Sequence, residues 1–168
     1  PVMVIANPDS GPGTSKDNTY ANAITDLVNV GITVIGYVST DYTNVAITTA
    51  KANMDSYKAW YTGVTGFFLD EMKNDVGGES YYTNLTQYAV SIGLPYTMGN
   101  PGTASLPSYI NTVNNSVIYE HHPLPRPEVL NLGYPIEKCS LIAYDVPASA
   151  VNQTYINTVS QYVSWIWL

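Results

Sequence analysis

Short apolar runs alternate along this chain with longer stretches in which apolar residues recur every three or four positions. The runs are Val2–Ala6, Ile32–Val38, Gly66–Leu69, Tyr96–Gly99, Ser116–Tyr119, Ser140–Tyr144 and Trp165–Leu168. They are rich in Val, Ile, Phe and Tyr and mostly apolar on both faces, the pattern of parallel strands covered on both sides. Four helical stripes lie between them: Tyr20, Ile24, Leu27, Val28; Ala50, Met54, Tyr57, Tyr61; Tyr81, Leu85, Tyr88, Ile92; and Val151, Tyr155, Val159, Tyr162. Gly31 and Gly93 stand where the first and third helices need a left-handed cap.

Strands that alternate with helices predict a parallel α/β fold. An open doubly wound sheet usually carries a phosphate loop after its first strand. Here that segment is Asn7-Pro-Asp-Ser-Gly-Pro-Gly13, which fits neither common glycine-rich pattern and loses two N–H donors to proline. The expectation is therefore a (β/α)8 TIM-type barrel, one domain over residues 1–168, lacking its first strand. That strand is expected upstream of Pro1. Without it, two sheet edges stay bare, and a second copy of the chain is a natural partner for them.

Composition narrows the function. Only 11% of residues are charged, against roughly a quarter in an average protein, and fifteen are tyrosine. Such a surface suits neutral, hydroxyl-rich partners and an extracellular setting. A net charge of −7 with six Lys and Arg excludes nucleic acid and anionic membrane surfaces as partners. No apolar run approaches the roughly 20 residues of a spanning helix. Cys139 sits in an apolar stretch and reads as a buried, inert thiol. Asn84, Asn114 and Asn152 open Asn-x-Ser/Thr sequons, candidates for glycosylation on a secretory route.

Catalytic groups of parallel barrels gather where strands end. The strand ends here carry Asn7 and Asp9; Tyr37, Thr40 and Tyr42; Asp70 and Glu71; Asn100; Tyr119 and Glu120; Tyr144 and Asp145. Five of the thirteen acids are among them, with almost no Lys or Arg. The strongest element is Gly66-Phe-Phe-Leu-Asp-Glu71, an apolar strand that delivers two adjacent acids. Neighbours on a strand point to opposite faces, so both acids reach the barrel mouth only if the strand breaks between them. Glu120 lies two strands further on, roughly 10 Å away at the backbone, a distance that converging side chains shorten towards that of paired carboxylates in glycoside hydrolysis. No serine-hydrolase elbow is present. His121 and His122 are adjacent, without the spacing of zinc ligands, and His121 reads as a loop residue lining the site. No cofactor or metal is expected, although acids and Asn carbonyls leave a Mg²⁺ or Ca²⁺ site as an alternative.

Five segments in order, Asn7-Pro-Asp-Ser-Gly-Pro-Gly13, Gly36-Tyr-Val-Ser-Thr40, Phe67-Phe-Leu-Asp-Glu-Met72, Gly99-Asn-Pro-Gly102 and Val117-Ile-Tyr-Glu120, resemble the spherulin-4-like family (spherulation-specific family 4), similar to glycoside hydrolase family 135. The resemblance implies a secreted or cell-surface barrel. It also implies an endo-acting glycoside hydrolase on an amino-sugar polysaccharide of the galactosaminogalactan type. Asp70, Glu71 and Glu120 then stand at the family's catalytic positions. Asn7, Asp9, Tyr37, Thr40, Tyr42, Asn100, Tyr119, His121, Tyr144 and Asp145 are the expected substrate-binding set. Where the family usually has Tyr-Gly in the loop after the second strand run, this chain has Tyr42-Thr43. The alternative is a non-catalytic surface or matrix protein that self-assembles or binds carbohydrate.

Overall fold

The computed structural model describes residues 1–168. Seven strands form one sheet: β1 (Met3–Ala6), β2 (Thr33–Ser39), β3 (Val64–Asp70), β4 (Tyr96–Gly99), β5 (Asn115–His121), β6 (Cys139–Ala143) and β7 (Trp165–Trp167). They pair in chain order, every pair parallel. The sheet curls into an incomplete (β/α)8 barrel, and β1 and β7 each keep one edge unpaired.

Four helices, α1 (Asn18–Asn29), α2 (Ile47–Trp60), α3 (Glu79–Ser91) and α4 (Gln153–Val159), fall on the four stripes. The Asp17 carboxylate accepts from the N–H groups of Thr19 and Tyr20 and starts α1, and Asn152 caps α4 in the same way. Gly31 and Gly93 adopt φ of 83° and 81°. Past them, Ile32 N–H reaches Leu27 O and Leu94 N–H reaches Ala89 O, the six-to-one bonds of a left-handed helix end. No α-helix separates β5 from β6. Pro123, Pro125, Pro127 and Pro135 withdraw backbone donors there, and only short 3₁₀ turns form at Pro127–Leu130 and Ile136–Lys138.

Side chains alternate across the sheet. Val34, Val38, Val64, Phe67 and Leu69 face outward and pack against Met54, Tyr57, Tyr82 and Leu85 of the helices. Met3, Ile35, Phe68, Met98 and Val117 fill the concave face. Gly36 makes room for Tyr57: a Cβ there would lie 2.7 Å from the tyrosine ring. The Tyr57 hydroxyl passes this point and donates to Ala6 O at 2.9 Å, tying α2 to the end of β1. Cys139 is buried, and burial pushes its thiol up to about 11.

The stripe on α3 differs from the expected one. Tyr82, Leu85 and Ala89 are fully buried, whereas Tyr81, Tyr88 and Ile92 are half-buried beside them. The hydroxyls decide this. Tyr88 reaches the surface carboxylate of Asp55, while the Tyr82 hydroxyl finds partners inside, so the helix turns that ring inward. In α4, Val159 is the buried member, and Val151 lies before the helix. No helix is long and apolar enough to cross a membrane.

Candidate functional site

On β2 the inward positions run Ile35, Tyr37, Ser39; on β3 they run Phe68, Asp70, with Tyr37 beside Phe68 and Ser39 beside Asp70 in the register. The Tyr37 hydroxyl donates to Asp70 Oδ2 at 2.7 Å. β3 stops at Asp70, and Glu71 turns into the left-handed region with φ of 52°. A residue with a side chain gives up about 1–2 kcal/mol to adopt that conformation. The turn carries the Glu71 carboxylate to the same face as Asp70, where Ser39 Oγ donates to Glu71 Oε2 at 2.7 Å. The expected break between the two acids is this turn.

Neighbouring backbone clamps it from both sides. Asp70 O accepts from Thr40 N–H at 3.0 Å and Glu71 O from Tyr42 N–H at 2.8 Å. Met72 N–H donates to Asn100 O at 2.8 Å.

Asn100 follows β4 and is 5% exposed. Its Nδ2 donates to Asp70 Oδ1 at 2.8 Å and to Glu120 Oε2 at 2.6 Å. Gly102 N–H donates to Asn100 Oδ1 at 3.0 Å, which fixes which way the amide points. One NH₂ group thus bridges two carboxylates and sets their nearest oxygens within about 6 Å, at the close end of the separations used in glycoside hydrolysis.

Glu120 lies inside β5, not at its end, and strict alternation from Val117 would turn it outward. The register shifts between Val117 and Tyr119, so Ile118 and Tyr119 both pack on the outer side and Glu120 swings inward. The bulge re-aims the carboxylate.

No cation neutralises this cluster. The one ion pair of the chain, Lys73 with Asp75 at 3.5 Å, joins a partly exposed lysine to an exposed aspartate. The Tyr37 phenol is held far above its ordinary range, first by burial, then by its hydrogen bond to Asp70 and the charges of Asp70, Glu71 and Glu120. It keeps its proton and remains a donor. No group of three His, Cys, Asp or Glu residues converges closely enough to hold a metal ion.

The other candidate residues fall into four places. Thr40 is fully buried beneath the acid pair. Asn7 and Asp9 are exposed on the loop after β1, where Asn7 Oδ1 accepts from Gly11 N–H at 2.9 Å. Asp9 lines a cavity of about 320 Å³ with Pro12, Gly13, Lys16 and Asp17, and none of the three clustered carboxylates borders it. Tyr42 is 54% exposed, the middle of three consecutive left-handed residues, Asp41, Tyr42 and Thr43, with φ of 40°, 54° and 82°.

At the rim beyond β5 and β6, His121 stacks on Tyr144 with centroids 6.4 Å apart and planes at 15°, and Tyr119 lies 6.2 Å from His121. Asp145, also left-handed at φ 54°, is exposed next to them. No side-chain hydrogen bond joins these rings to the acid cluster; Tyr119 and His121 bond instead to Pro123 and His122. Of the sequons, Asn84 is exposed on α3, Asn114 accepts from Thr97 N–H at 2.8 Å, and Asn152 is the α4 cap.

Sequence reasoning missed Ser39, although its period-two relation to Tyr37 marks it as inward. Trp165 and Trp167 carry no signal in the sequence beyond that of strand residues. They lie half-buried against the concave cluster, 6.1 Å apart.

The pattern that defines spherulation-specific family 4 matches residues 1–168. The chain belongs to spherulation-specific family 4. This family member is 36% identical over 121 residues to Spherulin-4 of Physarum polycephalum, covering 71% of the chain and 36% of that protein. The chain thus spans about a third of the length of the curated relative it matches. Its fold is similar to the crystal structure of Aspergillus clavatus Sph3 in complex with GalNAc, with a TM-score of 0.88 and 25% sequence identity. That match covers 98% of this spherulation-family chain and 76% of the Sph3 chain.

Proposed function

We propose that residues 1–168 form one barrel domain that hydrolyses a polysaccharide containing N-acetylated amino sugars, outside the cell or at its surface. The observation that carries this reading is the Asp70–Asn100–Glu120 bridge with Glu71 beside it, on the concave face of a fold similar to one that holds GalNAc. Both Asp70 oxygens accept hydrogen bonds, from Tyr37 and Asn100, and this held carboxylate supports a role for Asp70 in orienting a substrate N–H such as an acetamide. No hydrogen bond reaches Glu71 Oε1, so Glu71 is free to protonate the leaving glycosidic oxygen. Glu120 likewise keeps one oxygen open and is placed to stabilise positive charge at the anomeric carbon or to act as nucleophile. The exposed Tyr144 and His121 rings offer flat faces to neighbouring sugar residues, with Tyr42 on the opposite rim.

Reducing-end release from N-acetylated and de-acetylated amino-sugar polymers tests the proposal. Turnover of the acetylated polymer, lost in Glu71→Gln and Glu120→Gln, supports it. Full activity in both variants would remove the assignment. Loss of turnover on de-acetylation identifies the acetamide as a participant, whereas retained turnover makes Glu120 the nucleophile or base.

A second reading rests on the bare edges of β1 and β7, which suit a self-associating surface or matrix protein. Light scattering decides it: a mass that stays monomeric as concentration rises ends this reading.

A further inference from the structure

Beneath the acid pair, the Thr40 hydroxyl lies 2.8 Å from Asp70 O, 3.0 Å from Glu71 O and 2.9 Å from the Tyr82 hydroxyl. Thr40 and Tyr82 are both completely buried. Tyr82 Oη in turn accepts from Lys73 N–H at 2.7 Å.

These contacts leave one arrangement of protons. Carbonyl oxygens only accept, so the Thr40 hydrogen points at Asp70 O and Glu71 O. The Lys73 amide only donates, so it spends its hydrogen on Tyr82. The Tyr82 hydrogen must therefore go to Thr40. The relay runs from Lys73 N–H through Tyr82 and Thr40 to the two carbonyls, closing a ring around residues 70–73. No water is needed, and each buried group is satisfied.

We propose that Thr40, backed by Tyr82, is the positioning residue that holds Glu71 in its left-handed turn. It thereby keeps the Glu71 carboxyl on the concave face instead of the outer one. Thr40 is sealed from any sugar, so it acts through Glu71 and never on the substrate. The catalytic part of this inference rests on the hydrolase reading above; the structural part does not.

Thr40→Val removes the hydroxyl at nearly constant volume, and Thr40→Ser keeps it. In Thr40→Val, kcat on the acetylated polymer should fall about 10- to 100-fold with KM within about two-fold, and the pH profile of kcat should shift. Thr40→Ser should restore most of the rate. Val159→Ala, which loosens the α4 core elsewhere, serves as the stability control: its kcat should stay near wild type at temperatures where both variants are folded.

Crystal structures of wild type and Thr40→Val supply a readout that needs no turnover, the Ser39 Oγ to Glu71 Oε2 contact. Its loss in Thr40→Val supports the inference even in a protein that proves inactive, an outcome that would overturn only the hydrolase reading. A folded Thr40→Val that keeps this contact, or keeps full kcat in an active enzyme, overturns the inference itself. Should Thr40→Val fail to fold, Tyr82→Phe breaks the same relay one step back and is read by the same two measurements.

Discussion

Ser39 and Glu71 meet across the ends of β2 and β3, hydroxyl to carboxylate at 2.7 Å, although Glu71 lies one residue beyond the last paired position. Regular strand geometry would have sent Glu71 to the side opposite Asp70. The left-handed turn puts two sequential acids on one face, and the Ser39 hydroxyl bonds the second one there.

This contact sets a graded expectation. Glu71→Gln should cost roughly 10²–10⁴-fold in kcat, the usual share of a general acid. Ser39→Ala removes one hydrogen bond and leaves the carboxyl in place, so the loss should be about ten-fold. Initial rates of reducing-end release measure both, and a Ser39→Ala rate as low as that of Glu71→Gln would show that the serine does more than orient.

Thr43 holds a β-branched side chain at φ 82°, a conformation suited to glycine. Thr43→Gly should relieve that strain. The expected gain is about 1 kcal/mol, or 2–4 °C in melting temperature for a chain of this size. A lower melting temperature by calorimetry would mean that Thr43 contributes more through packing than it loses in backbone strain.

Gly36→Ala should be severely destabilising, by about 2–4 kcal/mol, because the added methyl drives into the buried Tyr57 ring. Tyr57→Phe should cost about 1 kcal/mol through loss of the bond to Ala6 O alone. Urea unfolding of the two variants separates the steric effect from the hydrogen bond.

Alkaline pH should unfold the protein through its phenols. Burial pushes Tyr81, Tyr96 and Tyr155 up to about 12, against an ordinary value of 10.0. Between about pH 10 and 12 the folded chain retains protons that the unfolded chain releases. The stability these groups contribute is complete below about pH 10 and declines as pH rises through that window. Urea midpoints across the range, with phenolate absorbance as a second probe, should fall together; midpoints that rise with pH would contradict the assignment.

The seven strands were legible because buried parallel strands are apolar on both faces, and Asp70-Glu71 stood out as acids at the end of such a run. The inward turn of Glu120 was not legible. It depends on the bulge at Ile118, and nothing in Val117-Ile-Tyr-Glu120 distinguishes a regular strand from a bulged one. The bulge is also why Tyr119, expected in the groove with the acids, packs on the outer side with Leu124 and Tyr155. The facing of α3 was ambiguous for a different reason. Tyr81, Tyr82 and Tyr88 are equally apolar in a periodicity count, and only the partners of their hydroxyls, far away in the chain, select Tyr82. Ser39 escaped notice because a serine on a strand carries no chemical signal until the carboxylate it faces is known.

β1 and β7 run in the same direction, and this limits what can fill the space between them. A strand entering there must run parallel to both or antiparallel to both, and a parallel one cannot come from a tight hairpin; it needs a crossover of a dozen residues or more. A second copy that sets its own β1 against β7 would satisfy one edge and present a fresh β7 at the far side. Such a contact repeats without closing, unless the rotation between copies happens to complete a ring. A twofold dimer can pair like edges, β1 with β1 or β7 with β7, which meet antiparallel, or set its axis along the strands and pair β1 with β7 at both seams. The shared direction of two short strands thus fixes the orientation of each possible seam between copies: parallel where unlike edges meet, antiparallel where like edges meet across a twofold.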